Sequence, residues 1–151
     1  MRFLILNGPN LNLLGIREPD IYGNQSYDDL TRLVAAHARE LGVEVSFYQS
    51  NHEGDLVDAI QKAYFDGMDG IVLNPAAYTH TSVALADAVK GVGLPTVEVH
   101  ISDVRSREEF RQISYVRAAA LATIMGEGFA GYCHALDLLA AHLGGGHAGQ
   151  N

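Results

Sequence analysis

The chain has 151 residues, 48% of them apolar, with 18 acidic residues against 10 lysines and arginines, for a formal charge of −8. This length fits one domain that can bury a sizeable core without disulfides, and the acidic balance, with no basic run, argues against nucleic acid and anionic membrane as partners. The single cysteine, Cys133, cannot form an internal bridge, and no apolar stretch approaches the ~20 residues of a membrane-spanning helix.

The first strand is expected at Phe3 to Leu6, and the opening MRFLILNGPN lacks the long apolar region and cleavage site of a signal peptide. A soluble, cytoplasmic protein is the expectation. GPNLNLLGIREPDIYG follows, too long and too charged for an ordinary strand-to-helix connection, and it carries Asn10, Arg17 and Tyr22. Ser26, with Asp29 three positions on, caps a helix whose face is Leu30, Leu33, Val34 and Leu41 and which Gly42 closes. Val43 to Tyr48 reads as the second strand. GDLVDAIQKAYFDG follows as a helix on Leu56, Ala59, Ile60 and Ala63, and Gly70 to Leu73 is the third strand.

TSVALADAVKGVG supplies a helix on Val83, Ala86 and Val89, and Thr96 to Ile101 the fourth strand. Ser106 and Glu109 form a capping-box pattern that predicts a short further helix. Leu121 to Met125 is the fifth strand and FAGYCHALDLLAAHL the last helix, so that residues 1–143 form a single domain and 144–151, GGGHAGQN, a mobile glycine-rich tail. Most of these strands are continuous apolar runs alternating with helices. That pattern predicts a doubly wound α/β fold: a flavodoxin-like five-stranded parallel sheet of order 2-1-3-4-5 with helices on both faces.

Ligands in such sheets bind beyond the carboxyl ends of the strands. The residues there, NGPN, NPAAYTHTS and HISD, are polar, whereas the strand starts are bland. A magnesium-binding receiver domain would have acids where Asn7 and Asn74 stand, and a nucleotide binder would have a phosphate loop entering a helix directly. A metal site needs grouped ligands. His37 and His142 lie in helical patterns and His147 in the tail, while His80 and His100 have no evident third ligand, so no metal is expected.

Acid–base chemistry without a cofactor remains. Glu98 and His100, two apart on a strand, point to one face, where the carboxylate can hold one imidazole nitrogen and leave the other for proton transfer; a buried structural ion pair is the alternative. Tyr22 is a poor base at neutral pH unless a cation such as Arg17 stabilises its phenolate, and otherwise reads as an apolar plug with a wet hydroxyl.

Four stretches, NGPNLNLLGIREPDIYG, QSNHEGDLVDAI, LNPAAYTHTSVAL and EVHISDVRSREEFR, in this order and spacing, make the chain resemble the type II 3-dehydroquinate dehydratases of the shikimate pathway, from Met1 to about Leu143. The resemblance implies a homododecamer, a tetramer of trimers, that removes water from 3-dehydroquinate by anti elimination through an enolate, with neither cofactor nor Schiff base. Carried over by motif, Tyr22 is the base, Arg17 stabilises its ionised form, Asn10 positions a water on the enolate oxygen, His100 is the general acid and Glu98 orients it. Asn74, Ile101 and Ser102 match positions that bind the substrate carboxylate and neighbouring hydroxyls, His80 and Arg111 match further hydroxyl contacts, and Asp87 matches a residue that reaches the adjacent subunit's site.

One departure is visible: Asp103 stands where the family usually has Asn. Turned inward it would weaken anion binding; turned away it starts the turn leading to Ser106. The competing functions are a non-catalytic flavodoxin-like binding module, distinguished by binding 3-dehydroquinate without turnover, and a hydro-lyase for another cyclic hydroxy acid, distinguished by a substrate panel.

Overall fold

The computed structural model describes residues 1–16, 20 and 24–148, the last four by backbone alone. Five strands, β1 (Arg2–Asn7), β2 (Glu44–Gln49), β3 (Gly70–Asn74), β4 (Thr96–His100) and β5 (Ala122–Met125), form one parallel sheet of order β2-β1-β3-β4-β5. Among the described residues the helices are α1 (Tyr27–Leu41), α2 (Glu53–Phe65), α3 (Val83–Val92) and α4 (Ala130–Ala148). This is the flavodoxin-like arrangement expected from the sequence.

Burial explains the strand sequences. β3 and β4 are buried at every residue and β1 at all but Arg2, so their runs need no alternation, while the edge strand β2 alternates between exposed and half-buried. On one face Phe3, Ile5, Val72, Val97 and Val99 meet Leu30, Val34 and Ala38 of α1 and Tyr132, Ala135, Leu136 and Leu139 of α4. On the other, Leu4, Leu6, Ile71 and Leu73 meet Leu56, Ile60 and Ala63 of α2 and Leu85, Ala88 and Val89 of α3.

The helix ends follow their signals. Ser26 and Asp29 make a reciprocal capping box, and Gly42 and Gly93 close α1 and α3 in left-handed conformations at φ 73° and 67°. Two expectations need correction. The stripe on α1 runs through Leu30, Val34 and Ala38 at strict i, i+4 spacing, leaving Leu33 and Leu41 exposed, and Val83 in the first turn of α3 is also exposed. The helix expected from Ser106 and Glu109 is replaced by 3₁₀ turns at Val104–Ser106, Glu109–Gln112 and Arg117–Ala119. The reason is local: Ser106 Oγ donates to Asp103 O at 2.7 Å instead of capping, and Gln112 Nε2 ties the second turn back to Val104 O at 2.8 Å. The last helix, α4, runs to Ala148.

Close backbone approach at the carboxyl edge requires Gly8. Its N–H donates to Asn74 O at 2.8 Å, and a Cβ there would lie 2.4 Å from Pro75 O.

Candidate active site

The loops at the carboxyl ends of β1, β3 and β4 enclose a cleft lined by Asn10, Asn74, His100, Ile101, Ser102 and Arg111, all anticipated from the sequence. Pro9, Leu11, Ala76, Ala77 and Arg107 also line it and were not anticipated. The signal for Arg107 was its spacing four residues before Arg111 in an otherwise acidic chain. Both meet Glu108, Arg111 Nε donating to its Oε2 at 2.6 Å and Arg107 Nε lying 3.9 Å from the same oxygen, so on the wall formed by the turns after β4 one carboxylate offsets part of their positive charge. Arg17 and Tyr22 lie outside the described residues.

β4 builds the titratable part. Val97 and Val99 face α1 and α4, so the pleat sends Thr96, Glu98 and His100 to the other face, and all three are buried. His100 Nε2 is in direct contact with Glu98 Oε2, leaving Nδ1 as the nitrogen available to the cleft. Glu98 also accepts from Ser114 Oγ, 3.0 Å from each carboxylate oxygen, and has Thr123 Oγ1 at 3.4 Å. Burial acts to raise the Glu98 carboxyl, but the His100 bond and charge, the Ser114 hydroxyl and the Arg117 charge outweigh it and hold the group below the usual glutamate range. Glu98 is therefore an anion.

Asn74 comes from the opposite face. Its Nδ2 donates to Tyr132 Oη at 2.9 Å and its Oδ1 accepts from Ala76 N at 3.0 Å. Tyr132 Oη in turn donates to Asn7 Oδ1 at 2.6 Å, and Asn7 Nδ2 donates to Tyr27 Oη at 3.3 Å. The amide of Asn74 is thus oriented before any ligand arrives, and Ala76 is held at φ 52°, an uncommon conformation for a residue with a Cβ.

His80 stands beside the cleft, its Nδ1 donating to Ile113 O at 2.7 Å and its ring edge-on to Phe110. Desolvation lowers its pKa, the Ile113 carbonyl opposes this, and Arg111 and His100 push it down further, so it is neutral at pH 7 with Nε2 as an acceptor. Asp87 lies elsewhere, on α3, in a surface depression shared with Tyr64 and Phe65 of α2. Asp103 turns away from the cleft. Its carboxylate accepts from Arg105 N, Nε and Nη2 at 3.0, 3.0 and 2.8 Å, which caps the Val104–Ser106 turn.

Among the described residues no group of three or more His, Cys, Asp or Glu could hold a metal ion. Nor is any described helix long and apolar enough to cross a membrane.

Residues 1–140 match the family model for class II dehydroquinase. The chain is 53% identical to a 3-dehydroquinate dehydratase of Caldicellulosiruptor bescii, over 91% of this chain and 95% of the relative, and 56% identical to 3-dehydroquinate dehydratase 1 of Corynebacterium efficiens, over 92% and 91%. The crystal structure of type II dehydroquinase from Butyrivibrio crossotus superposes with a TM-score of 0.91 at 51% identity, over 92% of this chain and 97% of that one. With its sheet order and its cleft at the carboxyl ends of β1, β3 and β4, the chain belongs to the class II dehydroquinases, the type II 3-dehydroquinate dehydratases, which are lyases.

Proposed function

We propose that the chain dehydrates 3-dehydroquinate to 3-dehydroshikimate by anti elimination through an enolate, without a covalent imine. The observation that carries this is the buried Glu98–His100 pair, opening onto a cleft that also presents Asn10, Asn74 and two arginines. Tyr22, ionised beside Arg17, takes the proton from carbon 2. Asn10 positions a water on the enolate oxygen. His100 then protonates the departing hydroxyl through Nδ1, while Glu98 holds Nε2 and keeps the ring in place. The substrate carboxylate and neighbouring hydroxyls fall to Asn74, Ile101 and Ser102, and further hydroxyls to His80 and Arg111. A base and cation that come together only as substrate displaces water are strongly basic just when the proton must be taken.

Two facts support an enolate over a Schiff base. Lys62 pairs with Asp66 on α2, and Lys90 sits in the last turn of α3; neither amine lines the cleft. A tetramer of trimers is supported by the α2–α3 face, where Phe65 is 81% and Tyr64 54% exposed beside Asp87. A second copy would cover this apolar surface and receive Asp87 at its own site. A cytoplasmic location fits the half-buried free thiol of Cys133.

The test is ultraviolet detection of the conjugated enone on mixing with 3-dehydroquinate. Tyr22→Phe abolishes turnover and keeps inhibitor binding; near-normal activity in the folded variant would refute the assignment. Borohydride added with substrate leaves activity intact, whereas inactivation with a covalent adduct contradicts the enolate. Light scattering during turnover should show a trimer or larger, and a fully active monomer rules out the shared site.

A further inference from the structure

The segment Gln49-Ser50-Asn51 at the end of β2 takes no part in the mechanism above, yet it is fastened to the candidate site. Gln49 pairs in register with Asn7, and its Nε2 donates to Gly8 O at 3.1 Å and to Asn51 Oδ1 at 3.1 Å, with Asn12 Oδ1 at 3.4 Å. Asn51 Oδ1 also accepts from the main-chain N–H of Asn10 at 3.0 Å, and Tyr78 Oη donates to the Asn51 carbonyl at 2.9 Å. Main-chain groups on both sides of Pro9 are therefore tied to one bracket.

That bracket acts on a demanding residue. Asn10 has φ 69° and ψ −4°, the left-handed region, which asparagine usually reaches by bonding its own side chain locally. Here the Asn10 side chain makes no cap bond to the Leu11–Leu13 turn, and the residue lines the cleft. Its backbone is held from outside, by an oxygen of Asn51, so its amide stays available to a ligand.

We propose that Asn51, braced by Gln49 and Tyr78, is a positioning residue for the reaction: it holds Asn10 in the left-handed conformation that aims its amide into the cleft. This rests on the role proposed above for Asn10. Asn51 is exposed and belongs to neither core, so its truncation leaves the fold intact while letting residues 9–11 relax. A shift of that kind near a reacting centre costs on the order of 10- to 100-fold in rate.

The experiment is steady-state kinetics at saturating 3-dehydroquinate, with thermal melts, on Asn51→Ala, Asn51→Asp, Asn10→Ala and the double alanine variant. Asn51→Ala lowers kcat on the order of 10- to 100-fold with little change in Tm. Asn51→Asp, which keeps the acceptor oxygen, recovers most of that loss, and the double variant is no slower than Asn10→Ala alone. If Asn51→Ala keeps wild-type kcat while Asn10→Ala loses it, the positioning role fails and the Asn10 assignment stands. Additive losses, or equal damage from alanine and aspartate, also overturn the positioning role. If Asn10→Ala is fully active, the Asn10 assignment itself falls and this proposal with it.

Discussion

Two buried polar clusters meet at the carboxyl edge of the sheet, and they differ in kind. The one built on β4 joins Glu98, His100, Ser114 and Thr123 around a carboxylate held in its charged form. The other joins Asn7 of β1, Asn74 of β3, Tyr132 of α4 and Tyr27 of α1, and all its members are neutral at pH 7. Burial pushes the Tyr132 phenol well above its ordinary range; the Asn74 bond works against this and Tyr27 adds to it. The charged cluster can exchange a proton with a ligand, whereas the neutral one can only hold geometry. Under the proposed mechanism chemistry and rigidity fall to different strands, and the cleft lies where they converge.

The largest effects should come from the charged cluster. His100→Ala removes the proposed acid and should lower kcat by roughly 10²- to 10⁴-fold; it also leaves the buried Glu98 carboxylate without its imidazole partner, so the melting temperature should fall as well. Glu98→Gln preserves shape and removes charge, and should lose about as much. A loss confined to KM in either variant would make the pair a binding element. The same pair sets an acid limb of stability. In the folded protein Glu98 titrates below its ordinary value of 4.5, so in the window between the folded and ordinary values the unfolded chain holds the extra proton. Stability is complete above that ordinary value and falls as pH drops through the folded one. Asp29, Asp103 and Glu108 are lowered as well, but they are solvent-exposed pairs whose share is screened. Denaturant titrations from pH 6 to 2 should show a shallower decline for Glu98→Gln than for the wild type.

The neutral cluster should respond mainly in stability, with a smaller effect on rate. Tyr132→Phe leaves Asn7 Oδ1 and Asn74 Nδ2 buried without their partner, a cost of about 1–3 kcal/mol. Its pH signature lies at the other end of the scale. A raised phenol contributes stability that is complete below about pH 10 and is lost as pH rises toward the folded value. Alkaline denaturation should therefore be less steep in Tyr132→Phe, on a lower plateau, with half-buried Tyr27 supplying the remainder. An unchanged plateau would mean that the two asparagines find other partners.

The two clusters were not equally legible in the sequence. Glu98 and His100 could be paired because a strand's period is two and the contact is local. Strand order followed from continuous apolar runs alternating with capped helices, and the caps at Ser26, Gly42 and Gly93 are single-residue signals with a steric or hydrogen-bonding cause. The neutral cluster was hidden. Tyr132 sits in a helical stretch that reads as ordinary packing, and its partner Asn7 is 125 residues away, a contact that only the folded topology creates. Ser114 and Thr123 reach Glu98 over 16 and 25 residues for the same reason. The segment 104–112 misled because a capping-box pattern describes what Ser106 could do, while Asp103, three residues earlier, engages that hydroxyl first.

Asp103 supplies the smallest expected effect and the sharpest boundary between cluster and turn. From sequence it could have carried a third charge into the cleft. In the structure its carboxylate is taken up by the guanidinium and main-chain N–H of Arg105, and these bonds, side chain first, hold it below the usual aspartate range. Its backbone lies close to Gly126, where an added Cβ would come within 3.2 Å of the Asp103 Cβ. Asparagine at 103 keeps an acceptor for Arg105 N and loses only an exposed ion pair, which screening makes weak. Asp103→Asn should therefore leave kcat and KM unchanged at low and at high salt. Tighter substrate binding in the variant at low salt, lost when salt is added, would show that the charge reaches the ligand and that Asp103 belongs with Glu98 and His100.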